Sequence, residues 1–260
     1  MARRSPALPL GALLSALLSA PACLAAVPGP AASCASAMQG RYAVMAMGTQ
    51  GSTPTAAVLE ERWLANGVIK GTLVERSGRS QRQGSYTGRL INSGSCVVQL
   101  ERQLPWGVER SEAVLDGRGR PLYSLNRTAG SVITGRWLPM APGRCTLDSL
   151  NGVVLSSQVG LSWIKNSWSP NAVVQRESWK HGQVEGVALS STNGMGQTAS
   201  YSGVLRLDPD SCWGTLQERD ALGQVYNYRS LMVLGRQAAR GYLYLQSDPD
   251  DLTVGWLVHD

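Results

Sequence analysis

The stretches "SYTGRL" at residues 85–90 and "SYSGVL" at 200–205 write one phrase twice in a chain of 260 residues. Sliding the chain by 115 residues lays 57–90 on 172–205 without a gap. Eight positions then coincide: Ala57/Ala172, Val58/Val173, Gly67/Gly182, Gly71/Gly186, Ser85/Ser200, Tyr86/Tyr201, Gly88/Gly203 and Leu90/Leu205. One inserted residue brings Ser95-Cys96 onto Ser211-Cys212, and a further one brings Glu101-Arg102 onto Glu218-Arg219. "TGRWLP" and "TVGWLV" match loosely near the ends, and Cys34 corresponds to Cys145. A unit of about 110 residues, an ordinary domain size, is therefore present in two copies. Two copies are too few for a solenoid, so two similar domains side by side are expected.

Each unit reads as strands. The first offers runs near 40–48, 56–65, 68–75, 84–92, 96–104, 108–116, 120–127 and 131–138. Turn residues separate them, as at Asn66-Gly67, Ser77-Gly78, Pro105-Trp106-Gly107 and Asp116-Gly117. Short strands with turns every eight to twelve residues indicate a sandwich or an up-and-down barrel. "AAVLEERWLANG" (56–67) could be a helix on propensity alone. Its counterpart "NAVVQRESWKHG" (171–182) is a poorer helix and a fair strand, so both are read as strands. The expectation is an all-β chain of two tandem eight-stranded up-and-down barrels, over 34–143 and 144–260.

Arg3 and Arg4, an apolar run from Leu8 to Leu18, and small residues around Ala20-Pro21-Ala22 or Leu24-Ala25-Ala26 read as a secretory signal over 1–26, followed by a linker at 27–33. The run is too short for a transmembrane helix, and no later segment is longer. A secreted or periplasmic protein is expected. Lipid anchoring at Cys23 is the minor alternative, since the leucine that usually opens a lipoprotein signal is missing. The remaining cysteines, 34, 96, 145 and 212, are even in number, as in disulfide-bonded exported proteins. The repeat favours pairing at equivalent places, Cys34–Cys96 and Cys145–Cys212. Each bridge closes a loop of some sixty residues, for on the order of 4 kcal/mol in the chain-entropy model. No fixed contact between the units is called for. With no C-x-x-C and only His181 and His259, a zinc site is not expected, nor is any other cofactor.

Gly40-Arg41-Tyr42, the Asn66-Gly67 hairpin and the "SYTG…SC" segment resemble a group of small secreted bacterial domains with a G-x-Y start and a central D-C-T-G-T motif. The resemblance implies lipocalin-like barrels without an established activity. It is looser in places. Ser95-Cys96-Val97-Val98 stands where D-C-T-G is expected, Ser211-Cys212-Trp213-Gly214-Thr215 is nearer, and the second unit lacks G-x-Y. It carries no catalytic residue across.

Residues 35–144 hold 14 Lys/Arg against 7 Asp/Glu, and 145–260 hold 8 against 11, giving opposite nets of +7 and −3. Opposite signs favour docking of the units or steering of an anionic partner to the first. Arg76, Arg79, Arg82 and Arg89 form the densest basic stretch. Its plainer reading is a solvated hairpin that resists edge pairing, and its functional one is contact with an anionic envelope component. No nucleic-acid motif is present. Asp208-Pro209-Asp210 and Asp248-Pro249-Asp250-Asp251 suit turns better than Ca²⁺. No nucleophile–base spacing, G-x-S-x-G or phosphate loop occurs, so no catalytic residue is nominated. Tyr42, Trp63, Trp106, Trp137, Trp179, Trp213 and Trp256, with Trp163 and Trp168, either line a barrel mouth or fill the core of a chain that has no Phe.

These observations favour a secreted, non-enzymatic binding protein that holds a small apolar or amphipathic ligand in a barrel. The alternative is a structural or interaction module of the envelope with filled barrels and no pocket. A barrel enzyme of the cyclase or isomerase kind would instead bury a carboxylate or Arg of shifted pKa inside a barrel.

Overall fold

The computed structural model describes residues 38–92, 96–236 and 238–259. The expected signal peptide, the linker, Cys23 and Cys34 lie outside the described residues. Sixteen strands follow one another in chain order. The first eight are β1 (Gly40–Gln50), β2 (Thr53–Trp63), β3 (Val68–Ser77), β4 (Ser80–Asn92), β5 (Val97–Leu104), β6 (Gly107–Leu115), β7 (Pro121–Asn126) and β8 (Ser131–Met140). A short 3-10 turn at Leu147–Leu150 leads into the second set. That set is β9 (Gly152–Ile164), β10 (Ser167–Lys180), β11 (Gln183–Thr192), β12 (Met195–Leu207), β13 (Trp213–Asp220), β14 (Val225–Leu234), β15 (Ala239–Gln246) and β16 (Asp251–His259). Within each set of eight, strands adjacent in sequence pair antiparallel. β1 closes on β8 and β9 on β16, so the chain forms two closed eight-stranded barrels. The segments at 56–67 and 171–182 are strands, as the repeat implied.

Local chemistry explains the hairpins. Three loops of the second barrel are two residues long with both residues at positive φ: Lys165-Asn166, His181-Gly182 and Asn193-Gly194. This turn type matches the twist of the flanking strands, and Asn and Gly tolerate it best. Alternation sets the two faces. On β9, Val154, Ser156, Gln158 and Gly160 are buried, whereas Leu155 and Val159 are exposed. Cys145 and Cys212 are bonded, with Cα atoms 5.3 Å apart, which joins the entry to the 3-10 turn to the start of β13. Cys96 is also disulfide-bonded.

The barrels dock on each other along β1, β2 and β8 of the first and β14, β15 and β16 of the second. Ala43, Ala56, Val58, Val74, Leu138 and Met140 of the first share one apolar cluster with Val233, Leu243, Leu245 and Leu252 of the second. The repeat alone did not call for this contact. Its polar anchor is Arg76 on β3, which is 1% exposed. The guanidinium donates to the carbonyls of Ser247 (2.7 Å), Asp248 (2.9 Å) and Pro249 (3.0 Å) in the β15–β16 loop. Arg79 pairs with Asp250 at 2.7 Å beside it. At the other side Arg41 donates to the Ser211 carbonyl at 2.8 Å, and the Trp213 indole donates to Thr72 Oγ1 at 2.9 Å.

Arg76→Ala removes a buried guanidinium and the charge-assisted hydrogen bonds it gives to three carbonyls of the β15–β16 loop, so it is expected to lower stability by about 3 kcal/mol. Arg76→Lys restores only part, since an ammonium lacks the planar fork. Chemical denaturation of the variants checks this; a loss below about 1 kcal/mol would show that the apolar contact alone holds the barrels together.

Candidate functional site

Each barrel buries a glutamate near the end of its second strand. In the first, Glu61 on β2 accepts from the Trp63 indole (2.8 Å), the Tyr86 hydroxyl (2.5 Å) and Arg102 Nε (2.6 Å). In the second, Glu177 on β10 accepts from the Trp179 indole (2.7 Å), the Tyr201 hydroxyl (2.8 Å) and the Tyr242 hydroxyl (3.0 Å). The tyrosines reach across a glycine. Gly71 lies beside Tyr86 in the ladder and Gly186 beside Tyr201. A Cβ there would sit 2.3 Å from the Tyr86 ring and 2.6 Å from the Tyr201 ring. Two of the identities in the repeat are thus the two halves of one contact.

The strand registers give the equivalence of every other interior position. Gly88 pairs with Arg102, and Gly203 pairs with Glu218. Arg102 of the first barrel and Glu218 of the second therefore occupy the same place. In the first, Arg102 is bound by Glu61, by Glu109 (2.9 Å) and by Ser111 (2.5 Å). Burial alone would lower its pKa, but Glu61 and Glu109 reverse that, so it stays charged. In the second, no cation answers the carboxylates. Burial pushes the Glu177 carboxyl up against the pull of its three donors. Burial, then the neighbouring Glu177, push Glu218 well above the ordinary carboxylate range, and its donor is the Tyr228 hydroxyl.

The interiors differ in filling. Val44, Ala46 and Leu59 of the first barrel correspond through the ladders to Ser156, Gln158 and Gln175 of the second. The first barrel holds a void of about 40 Å³ beside Arg102 and a separate opening of about 80 Å³ at its mouth, by Trp106. The second holds a cavity of about 170 Å³ with Glu218, Tyr201 and Tyr228 on one side. Gln158, Gln175, Asn171, Ser190 and Thr253 line much of the rest. The lining reaches Ser162, Thr192, Asp220 and Asp251, near the ends of strands, so the cavity runs toward the β9–β10, β11–β12, β13–β14 and β15–β16 connections. A larger concavity of about 670 Å³ lies outside both barrels, between β3–β4 and β12–β14. It is an open surface groove remote from the buried carboxylates, and the interior cavity is the better candidate site.

No protein-family model matches the chain, and no curated protein matches it. Among solved structures, a protein of Nitrosomonas europaea provisionally described as AttH aligns at 8% identity, covering 90% of this chain and 98% of its own, with a TM-score of 0.27. A protein of unknown function of the DUF3598 family from Nostoc punctiforme aligns at 10% identity over 88% and 98%, with a TM-score of 0.25. Likeness this remote carries no argument about activity.

The residues nominated from sequence fall in several places. Tyr42, Trp63 and Trp137 pack edge to face at 5.2–6.0 Å in the core of the first barrel. Trp179 packs against Tyr242 in the second. Trp106 stands at the mouth of the first barrel with Arg82 4.2 Å over its ring. Trp213 bonds Thr72 of the other barrel, and Trp256 lies under Arg136 of the other barrel. Trp163 and Trp168 pair across the β9–β10 hairpin. None of these lines the 170 Å³ cavity, whose aromatic groups are Tyr201, Tyr226 and Tyr228. The four arginines are not gathered into one patch. Arg76 and Arg79 are turned to the second barrel, Arg82 pairs with Glu75, and Arg89 pairs with Glu101 at 3.0 Å. Asp208 accepts from the backbone N–H groups of Asp210 and Ser211, as turn residues do, and Asp248 accepts from Asn227. His181 contacts Asp148 in an exposed turn, and His259 contacts the Asn151 carbonyl. Among the described residues no group of His, Cys, Asp or Glu is arranged to hold a metal ion.

Sequence reasoning missed Glu61, Arg102, Glu177 and Glu218. The signal was a repeated E-x-W, Glu61-Arg62-Trp63 and Glu177-Ser178-Trp179. It is hidden at an offset of 115, because the hairpin from Trp179 to Gly182 is one residue shorter than that from Trp63 to Gly67.

Two outcomes follow from the buried charges. Arg102→Met leaves Glu61 buried without its cation and is expected to cost about 3–5 kcal/mol, of which Glu61→Gln/Arg102→Met recovers a large part; a double-mutant cycle in urea reads the coupling. For Glu218 the native value lies above the unfolded one. Its contribution to stability is therefore full below about pH 4.5 and lost as pH rises toward the native value. Glu218→Gln should raise Tm at pH 7 by roughly 2–4 °C or more, and the gain should vanish near pH 4. Thermal unfolding at both pH values is the check.

Proposed function

We propose that the protein is an exported, non-enzymatic binding protein whose second barrel holds one small polar or amphipathic molecule, while the first barrel is a filled support. The supporting observation is the contrast in interiors. Equivalent positions are apolar and packed in one barrel, and polar around about 170 Å³ of space in the other. That space exceeds the roughly 150 Å³ apolar cavity that accepts benzene, and its lining suits a molecule with hydrogen-bonding groups rather than a purely apolar one. Export is supported by the signal-like start of the chain and by the Cys145–Cys212 disulfide, which suits a non-cytoplasmic compartment. Among the described residues no helix is long and apolar enough to cross a membrane.

A catalytic reading has one observation in its favour, the raised pKa of Glu218 at a cavity wall. Acid–base pairs work when their environments push the two groups apart. Here Glu177 and Glu218 are raised together, and Glu177 is engaged by three donors. Binding is the reading this arrangement supports better.

Calorimetric titration of the full chain with benzylamine, benzyl alcohol and benzoate tests the proposal. At least one probe is expected to bind one to one, and Ala199→Phe, which projects a ring into the cavity, should abolish it. If no probe binds, the filled-barrel interaction module is the better reading. Its candidate face is then the exposed row of Leu155, Val159, Val174, Val187 and Leu189 on β9–β11.

A further inference from the structure

We infer that the molecule held in the second barrel is a cation, a small amine or guanidine whose charged nitrogen sits against Glu218, the residue that stands where Arg102 stands in the first barrel. This inference rests on the binding function proposed above and names the chemical class of the ligand. Four observations carry it. First, the registers make Arg102 and Glu218 equivalent, each beside the glycine that pairs with it from the preceding strand. Second, the carboxylate that receives Arg102 in the first barrel, Glu61, has its counterpart in Glu177, where the third donor is the Tyr242 hydroxyl in place of a cation, so Glu218 is the carboxyl of the pair that faces the cavity. Third, the space differs in the required sense. The first barrel supplies the guanidinium from its own chain and retains about 40 Å³ beside it, with a separate opening of about 80 Å³ at its mouth, whereas in the second no cation of the described residues lines the cavity of about 170 Å³ beside Glu218. Fourth, the titratable groups lining that cavity are all acids: Glu218, Asp220, Asp251, Tyr201, Tyr226 and Tyr228. Arg176, Arg206, Arg219 and Arg229 neighbour inward-facing residues in their strands and do not line it, and Arg76 of the first barrel, which acts on Asp251 at the cavity's end, does not line it either.

Two carboxyls in one barrel without a cation are a poor arrangement for stability, because burial and mutual repulsion both oppose ionisation. Glu218 is 4% exposed, with one phenolic donor, against three donors at Glu177. An ammonium entering the cavity would meet a carboxylate, a phenol and neutral amide oxygens, a set that satisfies its donors. An anion would meet only like charge. Burial favours the protonated form of Glu218 and a cation beside it favours the carboxylate, whereas a neutral molecule of the same shape shifts neither, so cation binding and proton release are linked.

The three probes titrated into the full chain at pH 7 separate this inference from the one it rests on. Benzylamine is expected to bind roughly 10- to 100-fold more tightly than benzyl alcohol, the effect of one charge-assisted hydrogen bond, and benzoate most weakly. Glu218→Gln, which keeps an acceptor for Tyr228, should bring benzylamine down to the level of benzyl alcohol and leave benzyl alcohol unchanged. Glu218→Arg, which rebuilds the first barrel's arrangement, should abolish amine binding. Comparing buffers of different ionisation enthalpy should show proton release with benzylamine and none with benzyl alcohol. Equal affinity for amine and alcohol, or a preference that survives Glu218→Gln in a folded variant, overturns the cation inference while the cavity reading stands. Failure of all three probes to bind overturns both.

Discussion

The whole interior is arranged around a carboxylate that must not be left alone. Removing a glutamate from water costs several kcal/mol, and only good donors from several directions offset it. In each barrel those donors come from within the same strand, from two strands on, and from further round the wall: Trp63, Tyr86 and Arg102 in one, Trp179, Tyr201 and Tyr242 in the other. The constraint propagates outward. The tyrosine must cross the intervening strand, so that strand needs glycine at Gly71 and Gly186. The indole must point back at the carboxylate, so the tryptophan must share its face two residues away. A strand slipped by one residue would turn all of these outward at once.

This explains why the fold was readable and the site was not. Sheets record turn chemistry and alternation locally, and both survive in the sequence. The Asn-Gly and Ser-Gly turns, the Gly–Tyr identities and the strand-like 171–182 segment were enough to place the strands; they left a sandwich or a barrel open, and the expectation of closed barrels leaned on the likeness to lipocalin-like domains. The site depends on which residues face each other across strands, and a comparison made along one offset loses that wherever a hairpin changes length. Glu61 falls against Arg176 at an offset of 115, and its true counterpart Glu177 is one residue further on. A similar slip affected Glu101-Arg102 and Glu218-Arg219. Matching the letters pairs glutamate with glutamate, whereas the registers pair Arg102 with Glu218. The reversal of charge inside the second barrel was thus concealed by an apparent identity.

The fixed contact between barrels left a subtler trace. A strand covered on both faces reads as an unbroken apolar run. "SLMVL" at 230–234 and "GYLYLQ" at 241–246 have that character, and both strands carry one face into the second barrel and the other onto the first. The split in net charge finds a physical outlet at the same seam. Arg76 and Arg79, from the positive half, grip the acidic β15–β16 loop of the other. Arginines that look free in a hairpin are committed because the partner loop is some 170 residues distant in the chain.

The asymmetry of support bears on where an open cavity can be tolerated. A void lined by polar groups removes packing from the barrel that contains it. The second barrel is braced from outside by the first along β14–β16, where Leu231, Met232, Val233, Leu243 and Leu245 are buried. Much of the cavity wall comes from β9–β12, whose outer faces carry exposed Leu155, Val159, Val174, Val187, Leu189 and Val204. One side of the barrel is therefore packed against its neighbour, and the strands that supply much of the cavity wall are not. The first barrel, with its carboxylate neutralised and its tryptophans packed edge to face, supplies the packing that its twin has given up around Glu218.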